Sequence, residues 1–126
     1  MLFEVTSTKS LEEIDRDLQA AAARHKFGVI AVHDLKETMK KKGVDFANDT
    51  MIYEVCNPHQ AKKVLEANGA ISTALPCRIS VYRSGEVFKI ATIRPTAMLG
   101  MFNNPELEPV AREVEDDVVA MMKETA

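Results

Sequence analysis

Residues 74–95 read ALPCRISVYRSGEVFKIATIRP, and this stretch decides the architecture. Two runs rich in β-branched and aromatic residues flank Ser84-Gly85, a dipeptide suited to a tight two-residue turn. With Ser84 and Gly85 as the loop, Arg83 faces Glu86, Val81 faces Phe88, Ile79 faces Ile90 and Cys77 faces Thr92. Side chains alternate along a strand. Val81, Phe88, Ile79 and Ile90 therefore share a face that suits a core, and Cys77 and Thr92 extend it. Tyr82, Ser80, Arg78, Val87, Lys89 and Ala91 form the opposite, more polar face, open to water or to a partner.

Working toward the N-terminus, Thr50 to Val55 reads as a strand with Met51, Tyr53 and Val55 on one side and Ile52, Glu54 and Cys56 on the other. Asn57-Pro58 follows as a helix start, with Asn at the cap and Pro in the first turn. Ala61, Val64 and Leu65 form the apolar stripe of that helix, and Asn68-Gly69 ends it. Leu2 to Thr6 is a first strand. Ser10 and Glu13 form a capping box ahead of Leu11, Ile14, Leu18, Ala21 and Ala22 at helical spacing. That helix is expected to stop near Phe27, with Gly28 as its left-handed cap. Val29 to Val32 is a second strand. Asp34 then caps a short helix over residues 35–42, closed by Gly43. Its lysines, Lys36, Lys40, Lys41 and Lys42, read as a solvated face, with a phosphate or acidic-partner site as the alternative.

Beyond the hairpin, Pro95 stops the strand and Thr96 is expected to cap a short helix through Met98, Leu99 and Phe102. Asn104-Pro105 opens a last helix with Leu107, Val110, Val114, Val118 and Met121 on one stripe. Pro109 is tolerable only near its start. The expected fold is a single α+β domain over residues 1–126, a two-layer sandwich with helices on one face of a mainly antiparallel sheet.

The bulk properties exclude several classes. The chain has 126 residues, 46% hydrophobic and 28% charged, which suits a soluble globular domain. A net charge of −3 gives no electrostatic case for nucleic acid. No apolar run is long enough for a bilayer. The start, MLFEVTSTKS, lacks the basic-then-apolar order of a signal peptide. The expected location is the cytoplasm, where two cysteines exist as thiols rather than a disulfide. There is no G-x-G-x-x-G, Walker loop or G-x-S-x-G, so nucleotide binding and serine hydrolysis have no support.

Phe27-Gly28-Val29, Asp34, Cys56-Asn57-Pro58 with Ala61, Leu75-Pro76-Cys77-Arg78 leading into Val81-Tyr82, and Pro95 occur in an order and spacing that resembles domain-of-unknown-function family 302. The resemblance spans almost the whole chain. It implies a compact two-layer domain like one repeat of the TATA-binding-protein fold, often paired as a dimer, and implies no activity. A likeness of fold carries no DNA-binding inference.

Cys56 is the most suggestive single residue. It precedes a helix N-terminus, where free N–H groups favour a thiolate. The bland alternative is a small apolar side chain at a strand end. Cys77 falls on the core face, where cysteine is usually inert. Strand parity separates the two thiols unless the chain turns at Cys56, which a helix start permits. No C-x-x-C or H-x-x-x-H spacing anchors a metal. A metal would need scattered ligands, Cys56, Cys77 and His33 with Met98 or Met101, a set that suits a soft ion such as Cu(I). Arg78, with Lys89 and Tyr82, could receive a small anion.

Two functions follow. The first is a binding module for a small ligand or soft metal near Cys56, Asn57, Cys77, Arg78 and Asp34, with the open hairpin face supporting a homodimer. The second is a thiol-based redox or sulfur-carrier protein with Cys56 reactive and Cys77 resolving. Which cofactor, if any, is involved is left open by the residues.

Overall fold

The structure, a computed structural model, describes residues 1–126. Five strands form one sheet: β1 (Leu2–Ser7), β2 (Gly28–Asp34), β3 (Thr50–Cys56), β4 (Cys77–Ser84) and β5 (Val87–Ile93). Their spatial order is β1-β5-β4-β3-β2, and every neighbouring pair is antiparallel. The helices are α1 (Leu11–Arg24), α2 (Leu35–Lys41), α3 (Pro58–Ala67), α4 (Pro95–Gly100) and α5 (Glu108–Thr125), with 3-10 turns at Gly69–Ala74 and Pro105–Leu107. The α+β reading and the antiparallel sheet hold. No helix is long and apolar enough to cross a membrane.

The hairpin corrects one expectation and keeps another. Ser84 pairs with Val87, Arg83 with Phe88 and Val81 with Ile90, so the loop is Gly85-Glu86 rather than Ser84-Gly85. Gly85 supplies the left-handed conformation at φ +65°. Each residue of β4 thus meets a partner two positions further along β5 than expected. A two-residue slip preserves parity, so the predicted faces survive. Ile79, Val81, Phe88 and Ile90 are all buried.

That face is the main core. Tyr53 and Val55 of β3 join it, and α1 and α5 close it from above. Ile14, Leu18, Ala21 and Ala22 come from α1, and Val114, Val118, Met121 and Met122 from α5. Burying each large aliphatic side chain contributes about 1.5–3 kcal/mol. Tyr53 is fully buried except that its hydroxyl donates to Asp15 Oδ1 at 2.6 Å, which anchors α1 to the sheet. A smaller second cluster, Val64, Ile71 and Leu107, lies beyond the sheet end, with Leu75, Leu99, Phe102 and Val110 against it.

Three helix ends differ from expectation, the simplest being α5, which starts at Glu108 after the 3-10 turn Pro105–Leu107, with no cap bond from Asn104. The capping box of α1 forms, Ser10 accepting from Glu13 N–H. Its other end is not closed by Gly28. The left-handed residue is Lys26, at φ 62°. Phe27 N–H reaches Ala22 O at 2.8 Å and Lys26 N–H reaches Ala23 O at 3.1 Å, a Schellman closure that drops Phe27 into the core. The closure is fixed by where Phe27 must be buried, so Gly28 is free to begin β2. Thr96 does not cap α4, which starts at Pro95. Its backbone N–H and hydroxyl both donate instead to Glu115 Oε1 of α5, at 3.1 and 2.7 Å.

Candidate functional site

The end of β3 and the start of β4 lie side by side, Val55 opposite Cys77 and Gly28 opposite Cys56. Three segments leave the sheet at this rim. Asn57 turns β3 into α3, its Oδ1 accepting from His59 and Gln60 N–H at 3.1 and 3.3 Å. The 3-10 turn and the cis Leu75–Pro76 bond lead into β4. Pro95 turns β5 into α4.

Between these segments is a cavity whose walls include Cys56, Asn57, Gln60, Val64, Cys77 and Met98. It leaves about 40 Å³ for the centres of water molecules, room for roughly three. It sits on the seam between the two apolar clusters. Phe27, Val55 and Cys77 belong to the main core, Val64 to the smaller one, and Leu75 touches both. Such a seam is where packing is hardest to complete, because two separately organised groups of side chains meet there.

Sequence parity set the two thiols on opposite sides of the sheet. The turn at the start of α3 brings Cys56 round, and both cysteines line the one cavity. Their electrostatics run against the helix-start expectation. Burial pushes the Cys56 thiol above its ordinary range. Burial, with Cys56 adding to it, pushes Cys77 up to about 11. Both are protonated thiols at neutral pH, Cys77 buried and Cys56 half-buried.

Gln60 lies outside the apolar stripe expected of α3, which is Ala61, Val64 and Leu65. It is 8% exposed and forms part of the cavity wall. Its Oε1 is a buried side-chain polar atom with no hydrogen-bond partner. An orphaned buried acceptor costs about 1–3 kcal/mol. The buried stripe of α3 is Gln60 and Val64, four residues apart, whereas Leu65 is 36% exposed. The spacing from Gln60 to Val64 is the signal that could have found it.

Other expected site residues lie elsewhere. Asp34 caps α2, accepting from Glu37 N–H at 3.0 Å, and pairs with Met51 at the opposite end of β2 from Gly28. With Cys56 opposite Gly28, six residues away, the separation along the strand is roughly 20 Å. His33 is beside Asp34 and lies 3.4 Å from Glu54 Oε1. It therefore cannot complete a ligand set with the two cysteines. Met101 is 69% exposed and away from the cavity, while Met98 lines it. No group of three or more His, Cys, Asp or Glu side chains is arranged to hold a metal ion.

Arg78 is next to Cys77 but points to the other face of the sheet, 3.3 Å from Glu54. Tyr82 donates to Glu4 at 2.6 Å, and Lys89 lies between Thr6 and Glu4. Each member of the expected anion-binding trio is thus engaged with a carboxylate. This open face holds a broad groove of about 590 Å³ for water centres, floored by residues such as Ile52, Ser80 and Ala91. Ala74, Leu75, Pro76 and Met98 border both the groove and the cavity. Of the α2 lysines, Lys36 is 3.3 Å from Asp49.

Helix α4 forms one side of the cavity and is held from behind. Glu115, its side chain 12% exposed, receives Thr96 and lies 3.5 Å from Arg94. Burial alone would raise the Glu115 pKa, but the Thr96 hydrogen bonds and the Arg94 charge outweigh it and the net shift is downward.

Comparison with known proteins gives a family and no activity. A family model described as "Domain of unknown function DUF302" matches residues 3–125. A crystal structure of an uncharacterized conserved protein DUF302 from Bacillus stearothermophilus is similar over 99% of this chain and 98% of that one. The TM-score is 0.94 and the identity 30%. Among curated proteins none matches.

Proposed function

Because this chain is a member of the DUF302 family, whose description names no reaction, we propose its function from the cavity: it is a binding module for a small molecule seated at the β3–β4 rim. One observation carries this reading. The Cys56-Asn57 pair and Cys77, from separate stretches of the sequence, converge on a single largely apolar cavity between sheet and helices. Ligand sites are concave, mostly apolar and furnished with a few placed polar groups, and this one fits that description at small scale.

The competing reading, thiol chemistry at Cys56 with Cys77 as resolving partner, needs a thiolate. The upward shifts of both thiols favour the binding reading. A soft ion remains a ligand class for the same cavity, through the sulfurs of Cys56, Cys77 and Met98. A cytoplasmic location fits reduced cysteines. Exposed Leu2 and Ile93, opposite one another on β1 and β5, support the open sheet face as the surface for pairing with a second copy.

The test is a thermal-shift screen of the purified chain against small neutral amphiphiles, small anions and Cu(I). A ligand of the native state must raise the melting temperature. The expected result is a rise with neutral amphiphiles or Cu(I) that disappears in Ala61→Leu, which fills the cavity. No rise with any of them, or a rise that survives Ala61→Leu, overturns the reading.

A further inference from the structure

We propose that the cavity selects a small neutral molecule with an apolar body and an amide-type N–H donor, and that Gln60 is the residue that selects it. This deepens the binding reading above and rests on it. The observation is separate from the convergence of the cysteines: a side chain 8% exposed, on the cavity wall, with an acceptor oxygen that nothing in the chain satisfies.

Gln60 Oε1 accepts and cannot donate, so its partner must bring a hydrogen. Asn57 stands three residues earlier on the same wall. Its Oδ1 is committed to the α3 cap, which leaves the Nδ2 amide as its remaining polar end. An acceptor and a donor three residues apart, in the first turn and at the cap of α3, match the N–H and C=O of a carboxamide. A charged organic group or a hard ion is excluded by the same surroundings. The rest of the wall is mainly hydrocarbon and protonated thiol, and such a charge would lose its hydration there without a counter-charge.

A buried water is the rival occupant. Buried waters typically make about three hydrogen bonds. Here a water would find the Gln60 acceptor, the Asn57 amide donor and two weak thiol partners, with hydrocarbon on its other sides. A carboxamide replaces it with the same donor and adds apolar contact to Val64 and Leu75, both on the wall. The small volume limits the ligand, or the part of it inside, to a handful of heavy atoms.

The experiment titrates the full chain with isobutyramide and with 3-methyl-2-butanone, followed by two-dimensional amide NMR. The two probes have nearly the same shape and differ in the N–H donor. Ligands of this size bind in the millimolar range at best to moderate efficiency. The expected result is that both perturb the signals of Cys56, Gln60 and Cys77, with the amide bound at least about fivefold more tightly. In Gln60→Met, which keeps the length and loses the acceptor, that preference falls to about onefold while ketone binding persists. Equal binding of the two probes to the wild-type chain overturns the inference and leaves the binding reading standing. The same holds for a preference that survives in Gln60→Met. Absence of binding by both probes overturns the inference and, with it, the small-molecule form of the binding reading. The comparison on the wild-type chain decides the matter even if the variant does not fold.

Discussion

Replacing Glu115 by Ala removes the carboxylate that holds α4 beside the cavity. In the native chain it accepts two hydrogen bonds from Thr96 and sits 3.5 Å from Arg94, with its side chain 12% exposed. Hydrogen bonds to a charged group contribute about 1.5–3 kcal/mol each when one partner is removed. The two bonds share one oxygen and Arg94 is partly exposed, so the combined loss is expected near 2–4 kcal/mol rather than the full sum. Glu115→Gln keeps an acceptor and loses the charge, and is expected to cost about half as much. Urea unfolding of the wild type, both Glu115 variants, Thr96→Ala and the Glu115→Ala/Thr96→Ala double variant measures these quantities and closes a double-mutant cycle. The coupling between Glu115 and Thr96 is expected to exceed about 1 kcal/mol. There is also a pH signature. The folded pKa of Glu115 is lowered from 4.5, so its contribution is present above that value and is lost as pH falls through the folded pKa. Glu115→Gln should flatten this acid limb. A cost for Glu115→Ala below about 0.5 kcal/mol, or an additive cycle, would refute the claim that this carboxylate pins α4.

Three further perturbations probe other parts of the chain. Lys26→Gly relieves a left-handed lysine, at φ 62°, and is expected to stabilise by about 0.5–1 kcal/mol in urea melts; a destabilisation refutes the Schellman account. His25 places Nδ1 3.1 Å from Asp117 and Nε2 2.6 Å from Glu124. The Glu124 hydrogen bond is the main cause of its raised pKa, so its stabilising effect is complete below pH 6.5 and is lost as pH rises through the folded pKa. Melting temperature followed upward from pH 6.5 should fall more in the wild type than in His25→Gln, and parallel curves would contradict this. Iodoacetamide should alkylate Cys56 more slowly than a free thiol at neutral pH, with a midpoint displaced upward; faster reaction restores the thiol-enzyme reading.

The parts of the fold legible in sequence were those encoded by parity and by caps. The hairpin faces came out correctly although the loop was placed one residue early, because a two-residue slip returns every side chain to its own face. Asn57-Pro58, Asp34 and the Ser10–Glu13 box each encode a local bond, and each bond forms. What escaped depended on distant packing. Lys26 takes the left-handed conformation because Phe27 must enter a core made by residues far along the chain. Gln60 is missing from the expected site because an isolated α3 gives no reason to bury an amide. Burial comes with the folded chain, in which Gln60 shares the cavity wall with residues of α4, α5 and the turn before β4. The same enclosure raises the Cys56 pKa, where the local helix start alone argued for lowering it.

The register irregularity between Val29 and Ala31 has a consequence at the margin of the sheet. β2 is an outermost strand, and it carries the exposed apolar residues Ile30 and Val32. A flat strand of that composition is a template for another chain to continue the ladder, which is how aggregates and fibrils are seeded. The bulge breaks the even run of backbone donors and acceptors and twists the margin away from straight. Straightening that strand would therefore endanger solubility in crowded solution sooner than it would endanger the fold.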